Sequence, residues 1–339
     1  MNRNLRLALV ALVIVLAVGG LVYYSGLLTP KPTTLTKIIY MHDWKWDSKA
    51  APYFLALDKG WYKDAGLDVQ IVPGSGSSYV VKMLGAGQAD IAQITAPGVI
   101  VGRDKGILVK SVAMIYQSEP LTFFSLADSG IKSPQDWIGK KIGVQIESTN
   151  YIIYQGVLQK LGIDRTKITE VPIGFDSVTP LATHQVDVTM SFEIQRLQFE
   201  TKKIAITYFK ASDFGVNMYS TSLATTDGFA SRNPDVVKKF VEISLKAWKY
   251  ALANPDETVN VLLKYAKELD KTATLAEMDV NSALLVTQET KANGLGYMNS
   301  ARWEYTRDLL FNFKMITTKF NATDLYTNQF LPSPPVMPA

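Results

Sequence analysis

From Lys37 onward the chain alternates short apolar runs with stretches whose apolar residues recur every three or four positions. The runs at 37–41, 67–72, 90–94 and 108–116 have the length and β-branched content of buried strands, and the glycine-bounded stretches 48–65, 77–86 and 97–105 between them predict helices. Such alternation is the βαβ pattern of a mainly parallel sheet. A second series begins after Pro120 with an extended apolar run at 121–126. Ser133-Pro134 then marks a helix start, with serine as cap and proline in the first turn. Strands are predicted at 141–145, 168–172, 186–190 and 204–208, separated by helices at 151–161, 177–184 and 193–202.

The last third changes period. Val236, Val237, Phe240, Val241, Leu245, Trp248 and Leu252 follow Asn233-Pro234 at helical spacing, and Asn254-Pro255 ends the run. Further helices are expected over 256–267, 272–290 and 300–313. Two βα series followed by helices that pack back on the first series predict a hinged α/β clamp of two lobes. Its parts are lobe 1 at 37–120 and 223–325, lobe 2 at 121–222, a tail at 326–339, and two crossings near Leu121 and Ser222 that leave a cleft.

The N-terminus adds a compartment. Arg3 and Arg6 precede an apolar, uncharged run from Leu7 to Leu28, about 33 Å long as a helix and so able to cross a hydrocarbon core of about 30 Å. Secretory signals have a shorter apolar core and a small-residue cleavage site, whereas here Ala17-Val18-Gly19 lies inside the run. Residues 1–28 therefore predict an uncleaved signal anchor with the remainder exported, because the arginines hold their end in the cytoplasm. The Pro/Thr-rich segment 29–36 reads as a linker.

The chain has no cysteine, which excludes a lipoprotein tether, disulfides, thiolate metal sites and cysteine nucleophiles. The formal charge of +4 falls to +2 without Arg3 and Arg6, too weak a bias to point to nucleic acid. His42 and His184 lack the spacing of a zinc pair and read as surface or hinge residues. Neither a metal nor a cofactor is expected. Asn321-Ala322-Thr323 fits a glycosylation acceptor on the exported side.

The order of five segments carries a resemblance. DWKW, YFLALDKGWYKDAGLDVQIVPGSGSS and KMLGAGQAD follow one another between Asp43 and Asp90; SPQDWIGKKIG occupies 133–143, and a helix ending in Asn254-Pro255-Asp256 comes later. This order resembles the periplasmic binding proteins of ABC importers, in the group that includes nitrate, alkanesulfonate and taurine binders, thiamine-pyrimidine-precursor binders and the yeast pyrimidine synthase. The resemblance implies a type II periplasmic-binding-protein fold whose two-crossing hinge closes the lobes on a small molecule. It also implies an ABC permease and its ATPase subunit as partners; a monomer is expected. Asp43-Trp44 and Glu193 are similar to the pyrimidine branch, although Trp46-Asp47 and Ala50 stand where that branch carries Pro-Asn and His. The synthases need a cysteine-rich segment that this chain lacks.

Open α/β sheets place ligands at the carboxyl ends of their strands, which singles out the residues leaving each strand. Asp43, Trp44 and Trp46 leave the first, and either indole suits a planar heterocycle; packing under the next helix accounts for one of them equally well. Gly74, Ser75, Gly76, Ser77 and Ser78 open a helix whose amides suit an anion, as they suit a plain capped turn. Thr95 ends the third strand. Glu147, Ser148, Thr149 and Asn150 hold the matching position in lobe 2, for ligand contact or for capping. Phe192 and Glu193 follow the 186–190 strand, with a surface pair to Arg196 as the alternative for Glu193.

Overall fold

A computed structural model describes residues 35–338 apart from 147 and 175. The expected anchor at 1–28, most of the 29–36 linker, and Glu147 therefore lie outside the described residues. Among the described residues no helix is long and apolar enough to cross a membrane.

Among the described residues ten strands follow in order: β1 (Thr36–Met41), β2 (Leu67–Val72), β3 (Ile91–Thr95), β4 (Val109–Met114), β5 (Leu121–Leu126), β6 (Lys141–Val144), β7 (Thr169–Pro172), β8 (Val188–Phe192), β9 (Ile206–Lys210) and β10 (Thr221–Thr226). They form two five-stranded sheets, β2-β1-β3-β10-β4 and β7-β6-β8-β5-β9. In the first, β1 and β3 run parallel while β10 is antiparallel to β3 and β4; in the second, β6 is parallel to β7 and β8 while β5 is antiparallel to β8 and β9. Each sheet with its helices is called a lobe below.

Strand β10 was not among the sequence expectations. Four of the six residues in its TSLATT sequence carry hydroxyls, yet Thr221 to Thr225 are buried in the middle of the first sheet. The hydroxyls find carbonyls there, Ser222 Oγ donating to Ile94 O at 3.1 Å and Thr225 Oγ1 to Asp90 O at 2.6 Å. Because Thr221 pairs with Thr95 and Ser222 with Ile94, the second segment of lobe 1 starts ahead of the expected 223.

Two crossings join the lobes, between β4 and β5 and ahead of β10. They are bonded to each other: Ile115 N and Tyr116 N both donate to Thr221 O, at 2.8 and 2.9 Å, and Ser220 N donates to Tyr116 O at 3.2 Å. Glu119 is buried at this junction, where its Oε1 accepts from Leu121 N at 3.1 Å.

Helix Pro234–Ala253 shows the amphipathic logic of the last third. Its Phe240 stacks on Tyr62 with centroids 5.3 Å apart, and Trp248 Nε1 donates to Tyr53 OH at 3.2 Å beneath helix Ala51–Asp58. Full burial of each such side chain stabilises by about 1.5–3 kcal/mol, an upper bound given compact unfolded chains. The C-terminal helices do not pack on the first lobe alone, as the sequence had suggested. Helix Lys271–Leu285 touches both the turn Ser48–Ala50 and helix Arg196–Thr201. Phe313, after helix Ser300–Asn312, fills a notch at Gly156, where an added Cβ would lie 2.3 Å from the ring. The 326–339 segment is no loose tail either: Thr327 N donates to Ser111 O at 3.0 Å, Val336 O accepts from Leu295 N at 2.8 Å, and Phe330 is buried.

Candidate ligand cleft

The carboxyl ends of β1 and β3 in one lobe face those of β6 and β8 in the other across a narrow cavity. After β1 the chain turns through 42–47 and is tied to the loop after β2. Gly74 N donates to Trp44 O at 3.1 Å and Gly76 N to Asp43 O at 2.8 Å. Gly74 must be glycine, because a Cβ there would sit 2.2 Å from His42 O; Gly76 has φ of 97°, which glycine adopts without cost. These two amides serve the neighbouring loop, so the expected use of the Gly74–Ser78 turn as an anion cradle does not hold for them. Ser77 lines the space and its Oγ accepts from Thr95 N at 3.1 Å; Ser78 does not line it.

The floor is charged. Lys49 reaches in from the turn Ser48–Ala50, its Nζ 2.9 Å from Asp43 Oδ1 and 3.5 Å from Asp47 Oδ2. Asp47 Oδ1 also lies 3.2 Å from His42 Nε2, and the His42 ring is fully buried rather than at the surface or in the hinge, where the sequence had placed it. His184 is exposed. Burial alone would lower the affinity of Lys49 for its proton, but Asp43 and Asp47 outweigh it and hold the ammonium charged well above its ordinary range. Asp47 is likewise opposed by burial, and Lys49 with His42 prevails, holding its carboxyl below the usual value. Behind this group Glu277 accepts from Ser48 N at 3.3 Å; burial, then the charge of Asp47, pushes it up to about 7.

The opposite wall is built by lobe 2. Ser148 caps helix Thr149–Lys160 by accepting from Asn150 N, and Asn150 Nδ2 donates to Gln145 Oε1 at 3.1 Å, which fixes the amide beside the space. Thr149 Oγ1 meets Thr95 Oγ1 at 3.0 Å, so the two lobes touch directly across the cleft. Phe192 presents its ring to Lys49 Nζ, 5.0 Å from the centroid. Ser191, Ile194 and Gln195 complete this side.

Of the residues singled out in the sequence, Asp43, Trp44, Gly76, Ser77, Thr95, Ser148, Thr149, Asn150 and Phe192 line the inner space, and Ser75 lines a second space adjoining it. Trp46 and Glu193 do not. Trp46 sets its edge against Phe54 at 5.0 Å, under the following helix. Glu193 turns away from Phe192 and pairs with Lys210, Oε1 to Nζ 2.6 Å, while its N–H donates to Pro120 O. Sequence reasoning missed Asp47 and Lys49 as site residues. A signal existed, since Lys49 is the one charge between Ser48 and Leu57 in a stretch that is otherwise almost wholly apolar.

Residues 47–258 match the family model described as NMT1/THI5 like. The chain belongs to that family. It is 24% identical over 293 residues to the riboflavin-binding protein RibY of Chloroflexus aurantiacus, covering 83% of this chain and 82% of the relative. It is 25% identical over 276 residues to the formylaminopyrimidine-binding protein of Halalkalibacterium halodurans, covering 80% and 83%. A 4-amino-5-hydroxymethyl-2-methylpyrimidine phosphate synthase of Saccharomyces cerevisiae is similar as well, 27% identical over 249 residues, with 69% of this chain and 72% of the synthase covered. Among solved structures, the periplasmic aliphatic sulphonate binding protein SsuA from Escherichia coli superposes with a TM-score of 0.66 at 14% identity, over 86% of this chain and 91% of that one. The fold is the two-lobed periplasmic-binding-protein fold.

Proposed function

We propose that this family member is the extracytoplasmic receptor of an ABC importer, closing on a small pyrimidine-type heterocycle and delivering it to a permease without altering it. The observation that carries this reading is the juxtaposition of Asp43 and Asp47 with Lys49 on the cleft floor, faced by the ring of Phe192, with Trp44 lining the same space. Two carboxylates against one ammonium repel a small oxyanion. They accept N–H bonds from an amino or ring nitrogen, while the third ammonium hydrogen remains for a ring nitrogen or carbonyl. Asp43 and Asp47, and not Glu193, supply the carboxylate acceptors in this reading.

The names of the two binding-protein relatives support a receptor for a nitrogen heterocycle. The synthase relative supports an enzyme, but the cysteine-rich segment that the resemblance associates with that chemistry has no counterpart in a chain without cysteine. Tethering by the apolar run at 7–28 completes the proposal.

The test is isothermal titration of the exported part with formylaminopyrimidine, taurine and nitrate. The heterocycle should bind and the anions should not. Asp43→Asn should weaken binding by about 10- to 150-fold, the equivalent of about 1.5–3 kcal/mol for a charged hydrogen bond. Preference for an anion, or an unaffected Asp43→Asn, rejects the heterocycle.

A further inference from the structure

Lys49 has to enter the cleft at one angle to meet Asp43 and Asp47 together, and the turn that carries it, Ser48–Ala50, is three residues long. A single turn is not stable alone, since it orders several dihedrals for one hydrogen bond. Helix Lys271–Leu285 holds it in place. Glu277 accepts from Ser48 N at 3.3 Å, and one helical turn later Asn281 Nδ2 donates to Ser48 Oγ at 3.0 Å. Both grip the residue that precedes Lys49.

Asn281 is fully buried and has a second partner. Its Oδ1 accepts from Tyr116 OH, and Tyr116 belongs to the first crossing, its N–H on Thr221 O and its carbonyl accepting from Ser220 N. Tyr116, Asn281 and Ser48 therefore form one buried chain of hydrogen bonds from the hinge to the cleft floor. A carboxamide donates at one end and accepts at the other, which is what a bridge between two hydroxyls requires. Asn281 does not line the inner space; it lines a hollow behind Lys49 that Phe192 and Ile194 of lobe 2 close from the far side. Burying an amide carries a desolvation cost that leucine at the same helical position avoids, so packing alone does not explain its presence.

We infer that Asn281 is a positioning residue of the cleft: it ties the Ser48–Ala50 turn to the Tyr116 crossing and thereby sets where the Lys49 ammonium stands between Asp43 and Asp47. This rests on the proposed receptor function and adds a requirement to it. The floor is complete only while the hinge keeps this arrangement, because the crossing that joins the lobes is also the crossing that holds Asn281.

Removing one member of the chain leaves a buried partner unsatisfied and lowers stability whatever its role. The experiment therefore removes all three polar groups together, as Ser48→Ala, Tyr116→Phe and Asn281→Leu, while Glu277 keeps its bond to Ser48 N. The urea midpoint of this triple variant should lie near that of wild type. In the ligand-free protein, Lys49→Met should then shift the midpoint roughly half as far in the triple variant as in wild type. In titration with formylaminopyrimidine, the triple variant should bind about tenfold more weakly than wild type. Tyr116→Phe alone keeps the ring, stays outside the inner space and provides the milder check, with an expected loss of about three- to tenfold. An equal shift from Lys49→Met in both backgrounds, or wild-type affinity in either variant, overturns the positioning role and leaves the receptor standing. Failure of wild type to bind formylaminopyrimidine overturns the heterocycle alone, because the Lys49→Met comparison needs no ligand and still decides the role of Asn281.

Discussion

Replacing Lys49 with methionine keeps most of the side-chain volume and removes the one ammonium from the cleft floor. The lysine side chain is 5% exposed, Asp43 is 6% exposed and Asp47 is 25% exposed. Two carboxylates are then left about as buried as before, without their counter-charge. Breaking a buried pair in this way costs about 3–5 kcal/mol, of which the partial exposure of Asp47 leads to an expectation near the lower end. The pH dependence has a definite sign. Asp47 has a folded pKa below its unfolded value of about 3.9, so in wild type its contribution is present above that value and is lost as pH falls through the lower folded value. In the variant the attraction that held Asp47 ionised is gone, and protonation relieves it. The cost of Lys49→Met should therefore be largest near pH 7.5 and shrink toward pH 4.5. Urea unfolding of the ligand-free exported part, followed by tryptophan fluorescence at both pH values, measures it. Adding Asp43→Asn should return part of the loss, as expected for residues in direct contact. A cost below about 1 kcal/mol at pH 7.5, or the same cost at both pH values, would refute the claim that Lys49 neutralises a buried acidic floor.

Glu119 gives the opposite pH trend: burial raises its folded pKa to about 8, so its neutral form is accommodated below the unfolded value of about 4.3 and stability is lost as pH rises toward 8. Relative to Glu119→Gln, wild type should lose up to about 1.4 kcal/mol per pH unit across that window, and a flat difference in unfolding free energy counts against the buried hinge carboxyl. Gly156→Ala should destabilise by about 1–3 kcal/mol although alanine favours helix, because its Cβ would sit 2.3 Å from the Phe313 ring; thermal unfolding that rises instead shows that the notch is loose. The full-length protein should remain with membranes after carbonate washing, and a soluble form beginning near Gly20 would remove the anchor from the proposal.

The fold was legible where period and punctuation agreed. The helix from Pro234 shows its apolar face in the sequence, and the serine–proline start at Ser133 became a capped 3-10 turn, with Asp136 accepting from Ser133 N at 2.9 Å. Strand β10 was not legible, since hydroxyls that bond to carbonyls inside a sheet look like a polar loop from outside. The same limit shaped the site. Loop positions after strands were readable from topology, which is why Asp43, Trp44, Thr95 and Thr149 come together. Which way a side chain turns is set by tertiary partners. Trp46 goes to Phe54 and Glu193 to Lys210, while Lys49, a residue type usually solvated, goes inward because two carboxylates wait there.

The central claim is that two lobes joined at the 115–120 and 220–221 crossings close on a solute, and in this structure they already meet through Thr95 and Thr149. The most direct test is solution scattering of the exported part with and without a heterocycle whose binding titration has confirmed. The radius of gyration should fall when the ligand saturates the protein, as the open ligand-free population shifts to the closed form. An unchanged profile at confirmed saturation would contradict the clamp.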